Sequence, residues 1–570
     1  MSLQHVQTTR VPEASIVFKR MMEMDEFERL EYLTEVLVSI PSVNGTSGEA
    51  DIAEYLIDLL RQASYFQQNP EYLWSVPLKD DHLGRKNIFA FLKKENAEKT
   101  IIFHSHMDTV GVEDFADLQK FAFSPRDLQE HFKQQTQFPE LKECAESGEW
   151  MFGRGATDMK SGAAVHISNL LYFMEHPEEL EGNLLLMLNP VEENEHTGVI
   201  ESVAELQSLR EKHNITYKAA INNDFVTDLY EGDSSINIYT GAVGKLLPCF
   251  SIYGREAHVG ETLHGVDPSL VSAEINRRIN NNMDLAEKME GEHMLPPTCL
   301  QQRDSKDFYN VQTALKSRLY FNLFIYERSP KDVMDQLKEQ AAEACREVEQ
   351  YMKKQYEAFM QRGGYPRGET PDWNVDVFTF DEYKEYLQNI GVQANQIIND
   401  MTADYKGEEK REVAFAIVEA LQQADPNRKP KVVIFFAPPY CPHNYLREEV
   451  EEEERLLHIL KDIAETYEGA LKKQLNKEFQ VKKFFPFLSD SSYLSLHDTE
   501  EEIDSLVENF PGYETIYPVP VKKIREANIP AINLGVYGKD AHQRTERLYK
   551  PYSFGLLPEL TREAAKLMLK

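Results

Sequence analysis

The sequence predicts an α/β protein: a mostly parallel sheet layered with helices, carrying an inserted α+β domain. Three observations lead there. Short apolar runs of strand length alternate with helical periodicities in the first part of the chain. From about residue 238 the texture changes to half-exposed alternation and long polar-faced helices. The length, 570 residues, exceeds what one core holds.

Each element follows from its pattern. "EFERLEYLTEVLVSI" and "GEADIAEYLIDLLRQA" repeat apolar residues at helical spacing, and "SGAAVHISNLLYFMEH" reads as a helix between two strands. "KNIFAFL", "TIIFHSH" and "NLLLMLN" are apolar runs of strand length. "INIYTGAVGKLLPCFSIYG" and "KSRLYFNLFIYE" alternate, and the segment beginning "PKDVMDQLKEQ" is a long helix. "QRGGYPRGETPDW" is a Gly/Pro-rich break, "KPKVVIFFAPPYCP" another strand, and "REEVEEEERLLHILKDIAETYEGALKKQL" another helix. The glutamate run 451–454 suits a solvated helix start, favoured by the helix dipole. The expected domains are 1–237 and 444–570, two parts of one catalytic domain, with 238–443 inserted between them.

Lys and Arg number 62 against 95 Asp and Glu, a net charge of −33. That balance argues against nucleic acid and anionic membrane as partners. No apolar run reaches membrane-span length, and "MSLQHVQTTR" lacks a signal-peptide pattern. The five cysteines, Cys144, Cys249, Cys299, Cys345 and Cys441, are scattered and form no C-x-x-C pair. Reduced thiols and a cytoplasmic location are expected.

Chemistry-bearing residues gather where strands end, as in open α/β sheets. "HSHMDTV" carries His106 and Asp108, "GRGATDMKSG" carries Asp158, "VEENEHTG" carries Glu192 and Glu193, and "AAINNDF" carries Asp224. "INLGVYGKDAHQRTE" carries His542 after another strand. Each stretch alone is a common pattern; the ordered set is not. Nitrogen and oxygen ligands from separate strand ends, with no thiolate, suit a catalytic zinc, cobalt or manganese site. Two histidines and three carboxylates, one bridging, would hold two divalent ions. One glutamate is then left over, and a surplus carboxylate beside a ligand carboxylate is placed to move protons.

These motifs, together with "YGREAHVGETLHGVDP", resemble the two-metal exopeptidase and deacylase family that includes carboxypeptidase G, acetylornithine deacetylase and succinyl-diaminopimelate desuccinylase. The likeness spans roughly 30–330 and 480–570. Within the family the long chain resembles the RocB-type branch, associated with arginine utilisation. The resemblance implies a phosphorylase/hydrolase-like metallopeptidase domain with a lid. It implies that His106 and Asp224 bind the first metal, that Glu193 and His542 bind the second, and that Asp158 bridges. Asp108 would fix the His106 imidazole. Glu192 would be the general base. His258, in the lid, would help bind the substrate carbonyl oxygen. Asp490, in "SDSSYL", falls where relatives often place an Asp near substrate. The family also implies a cis peptide at Asp158–Met159. Zinc is the expected metal, with cobalt and manganese as alternatives.

Departures bear on substrate and assembly. Many relatives end a lid strand with an Arg that grips a substrate carboxylate; here "YFNLFIYERSP" puts Ile325 or Tyr326 at that place, and Arg328 comes later. The stretch 111–149 is an insertion expected to decorate the surface, with walling or covering the site as the alternative. The lid carries an added block, about 365–430, expected to cover the edge that dimeric relatives pair through. A monomer is favoured, with His258 serving its own chain; a homodimer through the lid is the alternative. The expected function is hydrolysis of an amide bond in a small acylated amino acid or short peptide. A dipeptidase or aminopeptidase is the rival within enzymes, and a non-catalytic metal-binding or peptide-binding protein is the rival outside them.

Overall fold

The structure, a computed structural model, describes residues 11–366, 369–403 and 405–570. The opening "MSLQHVQTTR", and residues 367–368 and 404 of the added block, lie outside the described residues. The chain divides into two compact units. One comprises the chain through Val243, Asn444–Leu496 and Lys522–Lys570; the other comprises Gly244–His443 and His497–Val521. The sequence boundaries differ from this division at 238–243 and at 497–521. The latter stretch packs with the second unit because its helix Glu500–Glu508 lies against the helix Pro330–Gly363.

The first unit is built on a sheet of β1 (Leu73–Pro77), β2 (Lys86–Leu92), β3 (Lys99–His106), β4 (Asn183–Asn189), β5 (Thr216–Asn222), β6 (Ser235–Tyr239), β7 (Glu478–Lys482) and β8 (Ala531–Asn533). Their order is β1-β2-β4-β3-β5-β8-β6-β7. The central strands β4, β3, β5 and β8 are parallel, as are β6 and β7. The β1–β2, β2–β4 and β8–β6 pairs are antiparallel. The fold is therefore mixed α/β with a mostly parallel central sheet. Every residue of β4 is buried, and every residue of β3 except Lys99. That burial explains why "TIIFHSH" and "NLLLMLN" are nearly continuous in apolar residues rather than alternating.

Helices cover the sheet: α1 (Glu26–Val38), α2 (Gly48–Leu60), α3 (Ser161–Glu175), α4 (Thr197–His213), α5 (Glu451–Leu475) and α6 (Leu557–Leu569). Phe103 pairs in register with Leu186 and Ile221, and all three join Leu170 of α3 and Leu560 of α6 in one core. The same register aligns the strand ends. His106 on β3 lies opposite Asn189 on β4, and His104 lies opposite Asn222 on β5. Residues just beyond those ends must therefore meet at one edge.

A smaller three-stranded sheet joins Gly538–Lys539, Arg547–Tyr549 and Trp150–Phe152. Its pairing brings the loop after Phe152, which holds Asp158, beside the loop that holds His542. The 111–149 insertion packs its own small core, including Phe115, Leu128, Phe132 and Leu141, against Phe152.

In the second unit, Lys316–Ile325 alternates half-buried and buried residues along its length, as a one-sided strand should. It pairs antiparallel with Thr298–Asp304 and Pro248–Tyr253. Pro248–Tyr253 pairs with Lys431–Phe436. The added block supplies the short edge strand Asp376–Thr379, parallel to Lys431–Phe436, and helices around Phe415 and Leu421. All five cysteines are free. No helix among the described residues is long and apolar enough to cross a membrane.

Candidate metal centre

The aligned ends of β3, β4 and β5 deliver most of the site. His106 is the last residue of β3, Glu192 and Glu193 follow β4, and Asp224 follows β5. His542 comes from the loop of the smaller sheet. His106 Nε2 lies 3.0 Å from Asp158 Oδ1, and His542 Nε2 lies 3.0 Å from Asp158 Oδ2. His542 Nε2 is also 3.1 Å from Glu193 Oε2. Among the described residues four groups gather here, each with its ligand atoms within 4.8 Å of one another: His106–Asp158–Asp224, Asp158–Glu193–His542, His106–Glu192–Glu193 and Glu192–His196–Asp490. In the first two, Asp158 is the shared carboxylate and offers one oxygen to each. The Asp158–Met159 peptide is cis, as the family resemblance implies.

Asp108 holds more than its histidine. His106 Nδ1 is 3.2 Å from the backbone carbonyl of Asp108 and 3.6 Å from its carboxylate. The carboxylate instead accepts from the backbone N–H groups of Glu192 and Glu193, both at 3.1 Å, and from Asn44 Nδ2 at 3.0 Å. One buried aspartate thus ties the β3 end to both glutamates.

The electrostatics are those of crowded, buried acids. Burial, with repulsion from Asp158, raises the Glu193 and Asp224 carboxyls above their ordinary range. Burial raises Glu192 as well, against the attraction of His106 and His196. Asp158 goes the other way: burial opposes its charge, but bonds from His106 and His542 hold it below the ordinary range. Burial disfavours the His542 cation, yet Asp158 and Glu193 push its pKa up to about 11. The donor set has no thiolate and more buried carboxylates than cations to balance them. Divalent metal ions fit such a set, since they supply the missing positive charge to oxygen and imidazole ligands.

The remaining predicted residues fall elsewhere. Asp490 is buried behind Glu192, with Oδ1 2.9 Å from His196 Nδ1. His258 belongs to the second unit, where it is exposed and its Nδ1 accepts from Gly260 N at 3.1 Å. Arg328, in that same unit, is occupied by Glu287 and the Leu285 carbonyl.

Two supporting residues were not singled out from sequence. Glu49, fully buried, accepts from Val191 N at 3.1 Å and from Gly45 N at 2.7 Å. It secures a β-branched residue at φ 70°, a backbone strain of about 1–3 kcal/mol placed immediately before Glu192. Glu546 accepts from Thr157 N at 3.0 Å and Asp158 N at 3.3 Å, and its other oxygen binds Arg154 at 2.6 Å. Its signal was a glutamate closing the "HQRTE" motif; Glu49 offered none beyond a charge within a helical pattern.

The profile of Peptidase family M20/M25/M40 matches residues 102–530. Protein RocB of Bacillus subtilis (strain 168) is 48% identical over 555 residues, 97% of each chain. Uncharacterized protein YqjN of the same organism is 34% identical over 547 residues, 95% of this chain and 96% of its own. Among solved structures, the M20 family metallo-carboxypeptidase Sso-CP2 from Sulfolobus solfataricus superposes with a TM-score of 0.50 at 13% identity. That match covers 96% of this chain and 100% of the other, and it shows a shared fold.

Proposed function

This chain belongs to peptidase family M20/M25/M40 and is a metal-dependent hydrolase, and from that premise we propose that it cleaves an amide bond in a small acylated amino acid or short peptide. The observation that carries the reading is Asp158, shared between a group with His106 and Asp224 and a group with Glu193 and His542; the reading keeps Glu192, which lies beside both, as the base. His106, Asp158 and Asp224 would hold one divalent ion; Asp158, Glu193 and His542 would hold a second, with zinc expected. When bound, such ions polarise a scissile carbonyl and acidify a water.

The chain's own residues do the rest. Glu192 accepts a proton as the water oxygen adds to the carbonyl carbon. It returns that proton to the amine nitrogen as the C–N bond breaks. Asp108 keeps Glu192 and Glu193 in place through their backbone N–H groups. The first unit is the catalytic domain and the second the lid. The resemblance assigns His258 to help bind the substrate carbonyl oxygen, and a cytoplasmic monomer is the favoured assembly. Arg328 is held by its own unit, which supports a substrate recognised without that guanidinium. Resemblance to the RocB-type branch directs the search to arginine and ornithine derivatives.

The test is zinc-, cobalt- or manganese-loaded protein against acyl-arginine, acyl-ornithine and dipeptide panels, following release of free amine. Hydrolysis of acyl amino acids is expected. Turnover of dipeptides alone would favour the dipeptidase or aminopeptidase rival. Full metal loading with every panel member intact would sink the reading.

A further inference from the structure

Behind Glu192 lies a set of buried polar groups that the chemistry above leaves unused. His196 and His104 are fully buried, and Asp490 is 2% exposed. His196 Nδ1 is 2.9 Å from Asp490 Oδ1 and 3.9 Å from Glu192 Oε1. The other oxygen, Glu192 Oε2, lies 4.0 Å from His106 Nε2. The two oxygens of this carboxylate therefore face different histidines, one at the metal centre and one behind it. Asp490 Oδ2 is 3.6 Å from His104 Nε2, which in turn is 2.9 Å from Asn189 Oδ1 at the end of β4. The His196 ring rests against Tyr493, centroids 5.3 Å apart. Its backbone is left-handed, φ 56°, and its N–H donates to the Val191 carbonyl at 2.9 Å. Although His196 precedes α4, its side chain makes no capping bond to that helix. Helix capping therefore does not explain a histidine aimed at two carboxylates.

We propose that Asp490 and His196 are positioning residues for Glu192. An ionised aspartate only accepts, so Asp490 takes the Nδ1–H of His196 and fixes the ring. The ring edge then confines Glu192 Oε1 and leaves Oε2 as the oxygen that meets the attacking water. Asp490 on this account does not contact substrate. The inference rests on Glu192 being the general base.

The experiment uses full-length zinc-loaded protein carrying Asp490→Asn or His196→Gln, each alone and combined with Glu192→Gln. Zinc content, kcat and KM are measured on the best substrate of the panels above. Each single variant is expected to keep its zinc and its KM and to lose about 10–100-fold in kcat, the size of loss found when residues supporting a metal site's side chains are removed. Added to Glu192→Gln, neither should cost more, because residues acting through one another are not additive. A crystal structure of Asp490→Asn should show a rotated His196 ring and a displaced Glu192 carboxylate. A raised KM with additive losses would make Asp490 a substrate contact and overturn the proposal. Loss of a zinc equivalent would make the pair metal ligands and overturn it too. So would wild-type kcat in both single variants, or failure of both to fold. Near-normal kcat in Glu192→Gln alone would instead remove the general-base reading beneath it.

Discussion

Two glutamate runs in this molecule have the same composition and opposite physics. Glu451–Glu454 opens α5, with Glu451, Glu452 and Glu454 exposed. The helix N-terminus favours such charges, and water solvates them. Only Glu453 turns inward, where Arg447 meets it at 2.6 Å. Glu192 and Glu193 sit instead beyond a fully buried strand, near Asp158, Asp224 and two histidines, with their backbone N–H groups gripped by Asp108. Burial and like charge raise both carboxyls. An acidic run becomes a site when tertiary register crowds it, not when its sequence is more acidic.

The largest effects should come from the buried run. Glu192→Gln is expected to keep the metal content and lose about 10²–10⁴-fold in kcat, since the amide cannot take a proton from water. Steady-state kinetics beside elemental analysis checks this; near-normal kcat would place Glu192 with the solvated glutamates. Glu193→Gln should instead lose one metal equivalent, because a neutral amide is a poorer ligand at the Asp158–Glu193–His542 group. Retention of all metal in that variant would break the assignment of roles between neighbours. Chelation should lower Tm. A ligand held at a hundred times its Kd stabilises the fold by about 2.7 kcal/mol, and stripping removes that gain. An unchanged melt after verified metal removal would mean that the acid crowding is tolerated without cations.

Much of the candidate site was legible because most of its residues follow a strand that announces itself. His106 closes "TIIFHSH", Asp224 follows "AAIN", and the Glu192–Glu193 pair follows "NLLLMLNP". A parallel sheet then forces these ends together. The supporting residues were not legible, because only register brings them near. Glu49 is one charge inside a helical pattern, yet it secures Val191. Glu546 closes a motif whose histidine drew the attention, yet it holds the Asp158 backbone. Asp490 falls near substrate by its place in the family, while its bond to His196 joins chain segments that no local pattern links. Likewise, 497–521 joins the second unit through the packing of Glu500–Glu508 on Pro330–Gly363.

Within the second run, the comparison predicts a graded response. Glu453 receives Arg447 Nη2 at 2.6 Å, Nε at 3.0 Å and the Arg447 backbone N–H at 2.7 Å. Removing its charge should cost about 1.5–3 kcal/mol, the range for hydrogen bonds to charged groups, without touching kcat or metal content. Denaturant midpoints for Glu453→Gln check it; an unchanged midpoint would mean that this inward pair contributes no more than an exposed one.

Glu451→Gln should have the smallest effect. Glu451 occupies the first turn of α5 and is exposed. Its charge gains from the helix N-terminus, where a surface carboxylate contributes about 0.3–1 kcal/mol at low ionic strength. It also sits beside other glutamates on a chain of net charge −33, so removing one negative charge relieves repulsion. The two contributions oppose, and salt screens both. The expected net change is within about 0.5 kcal/mol, as for most surface substitutions. Denaturation in low and high salt reads this directly: a small change at low salt should shrink further at high salt. A salt-insensitive loss above about 1 kcal/mol would mean that Glu451 makes a buried contact. The two runs would then differ in degree and not in kind.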